Sequence, residues 1–108
     1  MRNIIINRKK SFVGCIGKIS IYTIHQLNED EAIPKEKFHY LGSIKNGSFL
    51  KTTISEEEIT VVAAYDSLGV FMITDYIVIP KGVIDIVLDG KTKLNPARGN
   101  PFIFERKY

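Results

Sequence analysis

The chain has 108 residues, 44% hydrophobic and 25% charged, an ordinary composition for a single globular domain over 1–108. Such a chain buries roughly two-thirds of its unfolded surface, so its core needs no metal and no disulfide. Fifteen cations against twelve anions leave a net charge of +3, an excess that reads as solubility and makes nucleic acid an unlikely partner.

The single cysteine, Cys15, has no intramolecular partner and points to a reducing compartment. Met1 to Lys10 holds only the short apolar run Ile4-Ile5-Ile6, which is no leader, so the expected location is cytoplasmic. No window approaches the roughly 18 apolar residues of a membrane span. Isoleucine is abundant, with Val, Thr, Tyr and Phe beside it. This is a strand-forming palette, because β-branched and aromatic side chains suit a pleated, half-buried surface.

In chain order, Arg2 to Asn7 reads as a short strand and Arg8-Lys9-Lys10-Ser11 as a polar turn. Phe12 to Gly17 is a glycine-punctuated loop or bulged edge. Lys18 to His25 alternates cleanly, with Ile19, Ile21, Thr23 and His25 on one face. Gln26 to Lys37 is a polar excursion in which Pro34 forbids a continuous helix, with one helical turn expected at Glu29 to Ala32. Phe38 to Ile54 holds two strand-like runs around Asn46-Gly47, the pattern of a two-residue type I′ hairpin. That register sets Ile44 opposite Phe49, Gly42 opposite Lys51 and Tyr40 opposite Thr53.

Ser55 and Glu58 form a capping-box pattern before Ile59 to Tyr65. The run there is β-branched without a 3.6 period, so strand is preferred to helix. Asp66-Ser67-Leu68-Gly69 reads as a turn and Val70 to Ile79 as a long strand. Pro80-Lys81-Gly82 is another turn, Val83 to Leu88 a strand, and Asp89-Gly90 a second I′ signal. Lys91 to Asn100 has no pattern, and Pro101 to Arg106 is a last strand. Some eight short strands without βαβ alternation predict an all-β, antiparallel β-sandwich or else a small barrel.

The segments INRKKSFVG, KISIY, LGSIKNG and IVIPKGVIDIVLDGK together resemble a group of small bacterial β-domains, similar in outline to PEGA-type and prealbumin-like accessory modules. The resemblance implies a sandwich of short strands and carries no functional residue with it.

Candidate chemistry is sparse. Gly14-Cys15-Ile16-Gly17-Lys18 has two residues between its glycines where a phosphate loop needs four, and Ile19 stands where a magnesium-binding hydroxyl belongs. The same Gly-x-x-Gly lacks the helices of a KH clamp. Cys15 with His25 or His39 as base has no sequence feature to bring them together, and one cysteine with two histidines makes no metal pattern. Asp85 and Asp89 near Asp75 read as strand and turn residues, and Glu56-Glu57-Glu58 as solvated surface. No catalytic, cofactor-binding or metal residues are assigned.

Two features remain. Arg8, Lys9 and Lys10 beside Phe12 form a candidate basic patch for phosphate or nucleic acid. The central hairpin is apolar on both faces, with Phe38, Tyr40, Ile44 and Phe49 on one and Leu41, Leu50 and Ile54 on the other. A hairpin covered on one side only is not expected to be so. Phe38, Tyr40, Leu41, Phe49, Leu50 and Ile54 are therefore the candidate interaction surface of a non-enzymatic module that meets a protein partner or a second copy of itself.

Overall fold

A computed structural model describes residues 1–11, 17–28, 30–93 and 102–105. Among the described residues eight strands run in order: β1 (Arg2–Arg8), β2 (Ile19–Ile24), β3 (His39–Ile44), β4 (Phe49–Ile54), β5 (Ile59–Ser67), β6 (Val70–Ile79), β7 (Ile86–Thr92) and β8 (Phe102–Glu105). They form two four-stranded sheets, β4-β1-β7-β8 and β3-β2-β5-β6. One buried apolar cluster draws on both, with Ile4, Ile6, Leu88 and Phe102 from the first sheet and Ile21, Val61, Ile77 and Ile79 from the second. Alternation along each strand explains this layering, since residues two apart share a face. No helix among the described residues is long and apolar enough to cross a membrane.

The all-β expectation stands, but the sheets are not wholly antiparallel. β1 pairs with β7 in parallel, Ile4 beside Ile86 and Ile6 beside Leu88. A parallel pair needs a long connection, and here most of the chain lies between the two strands. Two asparagine–aspartate contacts tie this pair on its outer face. Asp85 accepts from the Asn3 backbone N–H (2.9 Å) and side-chain amide (3.3 Å), and Asp89 accepts from the Asn7 amide (3.1 Å).

The largest departure concerns Asn46-Gly47. The turn exists, closed by Ser48 N–H donating to Lys45 O at 3.0 Å, but β3 and β4 do not pair. β3 pairs with β2, and β4 with β1. Gly47 has φ +75° while Asn46 stays at negative φ, the φ pattern of a type II turn. That geometry splays the flanking strands, whereas type I′ matches their twist. The two runs therefore separate into different sheets, and this is why both carry an inward apolar face.

The two-residue hairpin of the fold is instead Leu68-Gly69, with φ +51° and +80°, closing the pair Ser67–Val70 between β5 and β6. Leu68 is fully exposed and gains no packing in return for its left-handed backbone, which is unfavourable for an L-residue by roughly 1–2 kcal/mol. Leu68→Asn is expected to stabilise the fold by about 1 kcal/mol, read as a thermal midpoint a few degrees higher. An unchanged or lower midpoint would contradict it.

Asp89-Gly90 is likewise not a turn. Both residues lie inside β7, which is displaced toward the C-terminus relative to Val83 to Leu88 and leaves Val83 and Ile84 exposed. Gly90 is there for a close approach: a Cβ on it would lie 2.1 Å from the ring of Phe102. Ile59–Ser67 is a strand, as preferred over helix.

In the excursion the single helical turn among the described residues is a 3-10 turn at Lys35–Lys37, with Pro34 as its N-cap in extended backbone. Glu29 lies outside the described residues. Leu27 and Ile33 of the excursion pack over Tyr22, Phe38 and Val62 on the outer face of the second sheet. Tyr22 and Phe71 meet edge to face there at 5.2 Å.

Candidate functional site

β3 and β4 are edge strands of different sheets joined by one tight turn, so they form the two arms of a V. The arms meet at Lys45–Ser48. Just above the turn the gap is closed by Leu50 packing over Gly42, where a Cβ would lie 2.7 Å from Leu50 Cδ1. The Asn46 side chain ties the turn to the segment after β1. Its carbonyl accepts from Ser11 N–H at 2.9 Å and its amide donates to Ser11 O at 2.8 Å.

Toward His39 and Ile54 the arms diverge and leave a cleft of about 590 Å³, within the usual range for a ligand site. Leu41 from β3 and Ile54 from β4 supply apolar walls, and Ile33 of the excursion supplies a third. Ile24, Ala32, Pro34 and Ile59 add to the apolar lining, and polar side chains stand among them. Thr23 pairs across the ladder with His39, so His25, two residues beyond Thr23, and Lys37, two residues before His39, gather at the same end. All four line the cleft. Thr23 is buried. Glu31 is the acidic residue of the lining, while the Met1 amino group nearby is paired with Glu56 at 3.1 Å.

The chain matches no family model, no curated protein and no solved structure.

Of the six residues of the candidate interaction surface, Leu41 and Ile54 come together in this cleft. Leu50 packs on the main core from the narrow end. Phe38 is buried in the Tyr22 cluster, 6.3 Å from that ring. Tyr40 and Phe49 are 54% and 62% exposed, but they sit on different sheets. Phe49 borders a polar depression with Lys9, Asp89 and Glu105 at the far end. The six do not make one continuous surface, because strands assigned to one hairpin belong to two sheets.

The basic turn is also divided. Arg8 is 3% exposed, and its guanidinium donates to Gly17 O at 2.6 Å and Ile44 O at 2.8 Å. It thereby ties the end of β1 to the segment just before β2 and to the end of β3, across the two sheets. Burial lowers its pKa from the ordinary value through desolvation. Lys9 and Lys10 are exposed, with the Lys10 stem against Gly47. Phe12 and Cys15 lie outside the described residues, as do Arg98, Arg106 and Lys107. His25 and His39, named as possible bases for Cys15, share the cleft. Lys35 pairs with Asp66 at 3.7 Å and Lys91 with Glu105 at 3.6 Å.

The three aspartates are held apart by separate structural contacts. Asp75 accepts from Phe104 N–H at 2.8 Å, and Asp85 and Asp89 hold Asn3 and Asn7. Among the described residues no group of three or more His, Cys, Asp and Glu is placed to hold a metal ion. The Asn3 backbone N–H, then its side-chain amide, lowers the Asp85 pKa. Its folded value thus lies below its unfolded one, so the stabilisation is complete above the ordinary carboxylate range. It disappears as pH falls through the lowered value. Asp85→Asn is expected to reduce the drop in thermal midpoint between about pH 6 and about pH 3. Equal drops in both proteins would contradict it.

What the sequence missed was Arg8 as an internal strut. The signal was present in the alternation, since Arg2, Ile4, Ile6 and Arg8 share one face of β1, and all four are buried. Arg2 does the same at the other end, donating to Ser55 O and Glu57 O.

Proposed function

We propose that this chain is a non-catalytic β-sandwich module, Ig-like or prealbumin-like in outline and working in a reducing compartment. Its function is to hold an extended apolar segment of a partner protein in the cleft between β3 and β4. The observation that carries this reading is the wide end of the V. Leu41, Ile54 and Ile33 line a space there that the protein's own side chains leave open. Two edge strands flank it, and an extended chain finds backbone partners at such edges.

A displayed library of random linear peptides, selected against the full chain, tests this. Enriched peptides are expected to shift the amide resonances of Leu41, Thr53 and Ile54 and to bind Leu41→Gln at least tenfold more weakly. Binding is expected to be unchanged in Phe49→Ala, at the opposite end. Enriched peptides that perturb other surfaces, or no enrichment, would overturn the reading.

Self-association is a second reading, favoured by the exposed aromatic rings of Tyr40 and Phe49. A monomer mass by light scattering, constant over dilution, would remove it. Phosphate or nucleic-acid binding through the basic turn rests on Lys9 and Lys10, since the Arg8 side chain is buried. Flat oligonucleotide titrations at low salt would end that alternative.

A further inference from the structure

We infer that the segment held in the β3–β4 cleft carries a carboxylate, which the His25, His39, Lys37 and Thr23 cluster receives. This rests on the cleft being the binding site and adds the chemistry of its occupant. The argument is charge and hydrogen-bond complementarity. Leu41 and Ile54 are the facing apolar walls of the cleft. At one end, the Thr23–His39 register brings two imidazoles and an ammonium group together.

Imidazole N–H, ammonium and hydroxyl are all donors, and an anionic acceptor strengthens bonds to each of them. The titratable and charged groups facing this end are Lys37 and Glu31 from the excursion, His25 after β2, His39 on β3, and the Met1 amino group already engaged by Glu56. Glu31 and Lys37 balance in formal charge, and the two imidazoles add N–H donors that an anionic acceptor matches and a second cation does not. Thr23 adds a hydroxyl to the cleft lining. An occupant that is apolar along its length and anionic at this end satisfies both halves of the cleft. A purely apolar segment leaves the donors unmatched, and a basic one meets Lys37.

The peptides selected from the library supply the probes. Each is resynthesised with its acidic side chains replaced by the matching amides, and separately with its C-terminus amidated. One of these changes is expected to weaken binding at least tenfold, and the arm that does so tells a side-chain carboxylate from a chain-terminal one. Lys37 is exposed, in the 3-10 turn, so Lys37→Glu leaves the core untouched, verified by an unchanged circular dichroism spectrum. That variant is expected to bind the acidic peptides at least tenfold more weakly and their amide twins as before. His39→Gln, also exposed, is expected to lower affinity in the same selective manner. Peptides that occupy the cleft with no preference between acid and amide, or a Lys37→Glu effect equal on both, would overturn this inference and leave the binding site standing. If no peptide reaches Leu41 and Ile54, both fall together.

Discussion

Gly90→Ala is expected to lower stability by roughly 3 kcal/mol, at the upper end of what overpacking a core costs. The methyl group would lie 2.1 Å from the ring of Phe102 and within 3 Å of two more of its atoms. Phe102 is fully buried and stacks edge to face on Phe104 at 5.5 Å, so the ring cannot swing away without opening the core. Relief has to come from separating β7 and β8, which are paired through Gly90 and Phe104. Urea unfolding is expected to show a lower midpoint with an unchanged slope.

Phe102→Leu provides the control. In that background the same glycine substitution is expected to cost at least about 1 kcal/mol less, a coupling of the size found for residues in contact. Additive effects would mean that the ring and the glycine do not meet.

Arg8→Ala is expected to cost about 3 kcal/mol, through the loss of two charge-assisted bonds and the stranding of the Gly17 and Ile44 carbonyls. Both bonds leave the same Nη1. Arg8→Lys keeps the charge and several donors on one nitrogen but places them on a different, more strongly hydrated head group, and is expected to fall between the parent and Arg8→Ala. Lys9→Ala and Lys10→Ala, on exposed side chains, are expected within about 0.5 kcal/mol of the parent. Denaturant midpoints of the four variants test this ordering. If Arg8→Ala melted like Lys9→Ala, the strut between the sheets would be refuted, and Arg8 would return to the surface role that its sequence neighbourhood invites.

Arg8 shows how local reading goes astray. Next to Lys9 and Lys10 it looks like a third surface cation, and charge runs are usually solvated. The alternation of β1 makes the opposite statement, because Arg8 follows Ile4 and Ile6 at the two-residue spacing of the buried face. The cleft was less accessible still. Thr23 and His39 are distant in sequence, and nothing local indicates that they are ladder partners. Leu41 and Ile54 were named as members of one surface, and they do converge, but as facing walls on different sheets.

The two Asx-Gly dipeptides make the same point from another direction. Asn46-Gly47 and Asp89-Gly90 carry the strongest local hairpin signals. One became a splayed corner between sheets and the other a strand interior. The hairpin formed at Leu68-Gly69, whose leucine is a poor choice for left-handed backbone. Glycine answers to two needs, positive φ and close approach, and the residue type alone does not separate them.

The sequence by itself determined that this chain is built of strands, roughly where most of them begin and end, and that Ile19, Ile21 and Thr23 of β2 share one face. Those are properties of β-branched content and period-two alternation, which are local. Tertiary structure decided which strand lies beside which, that β1 and β7 run parallel, that Phe38 to Ile54 opens into a V, and that a cleft with two histidines and a lysine lies between its arms. Pairing is a contest among strands far apart in sequence, settled by how completely their apolar faces and their buried polar groups, Arg2 and Arg8 among them, are satisfied within one shared core.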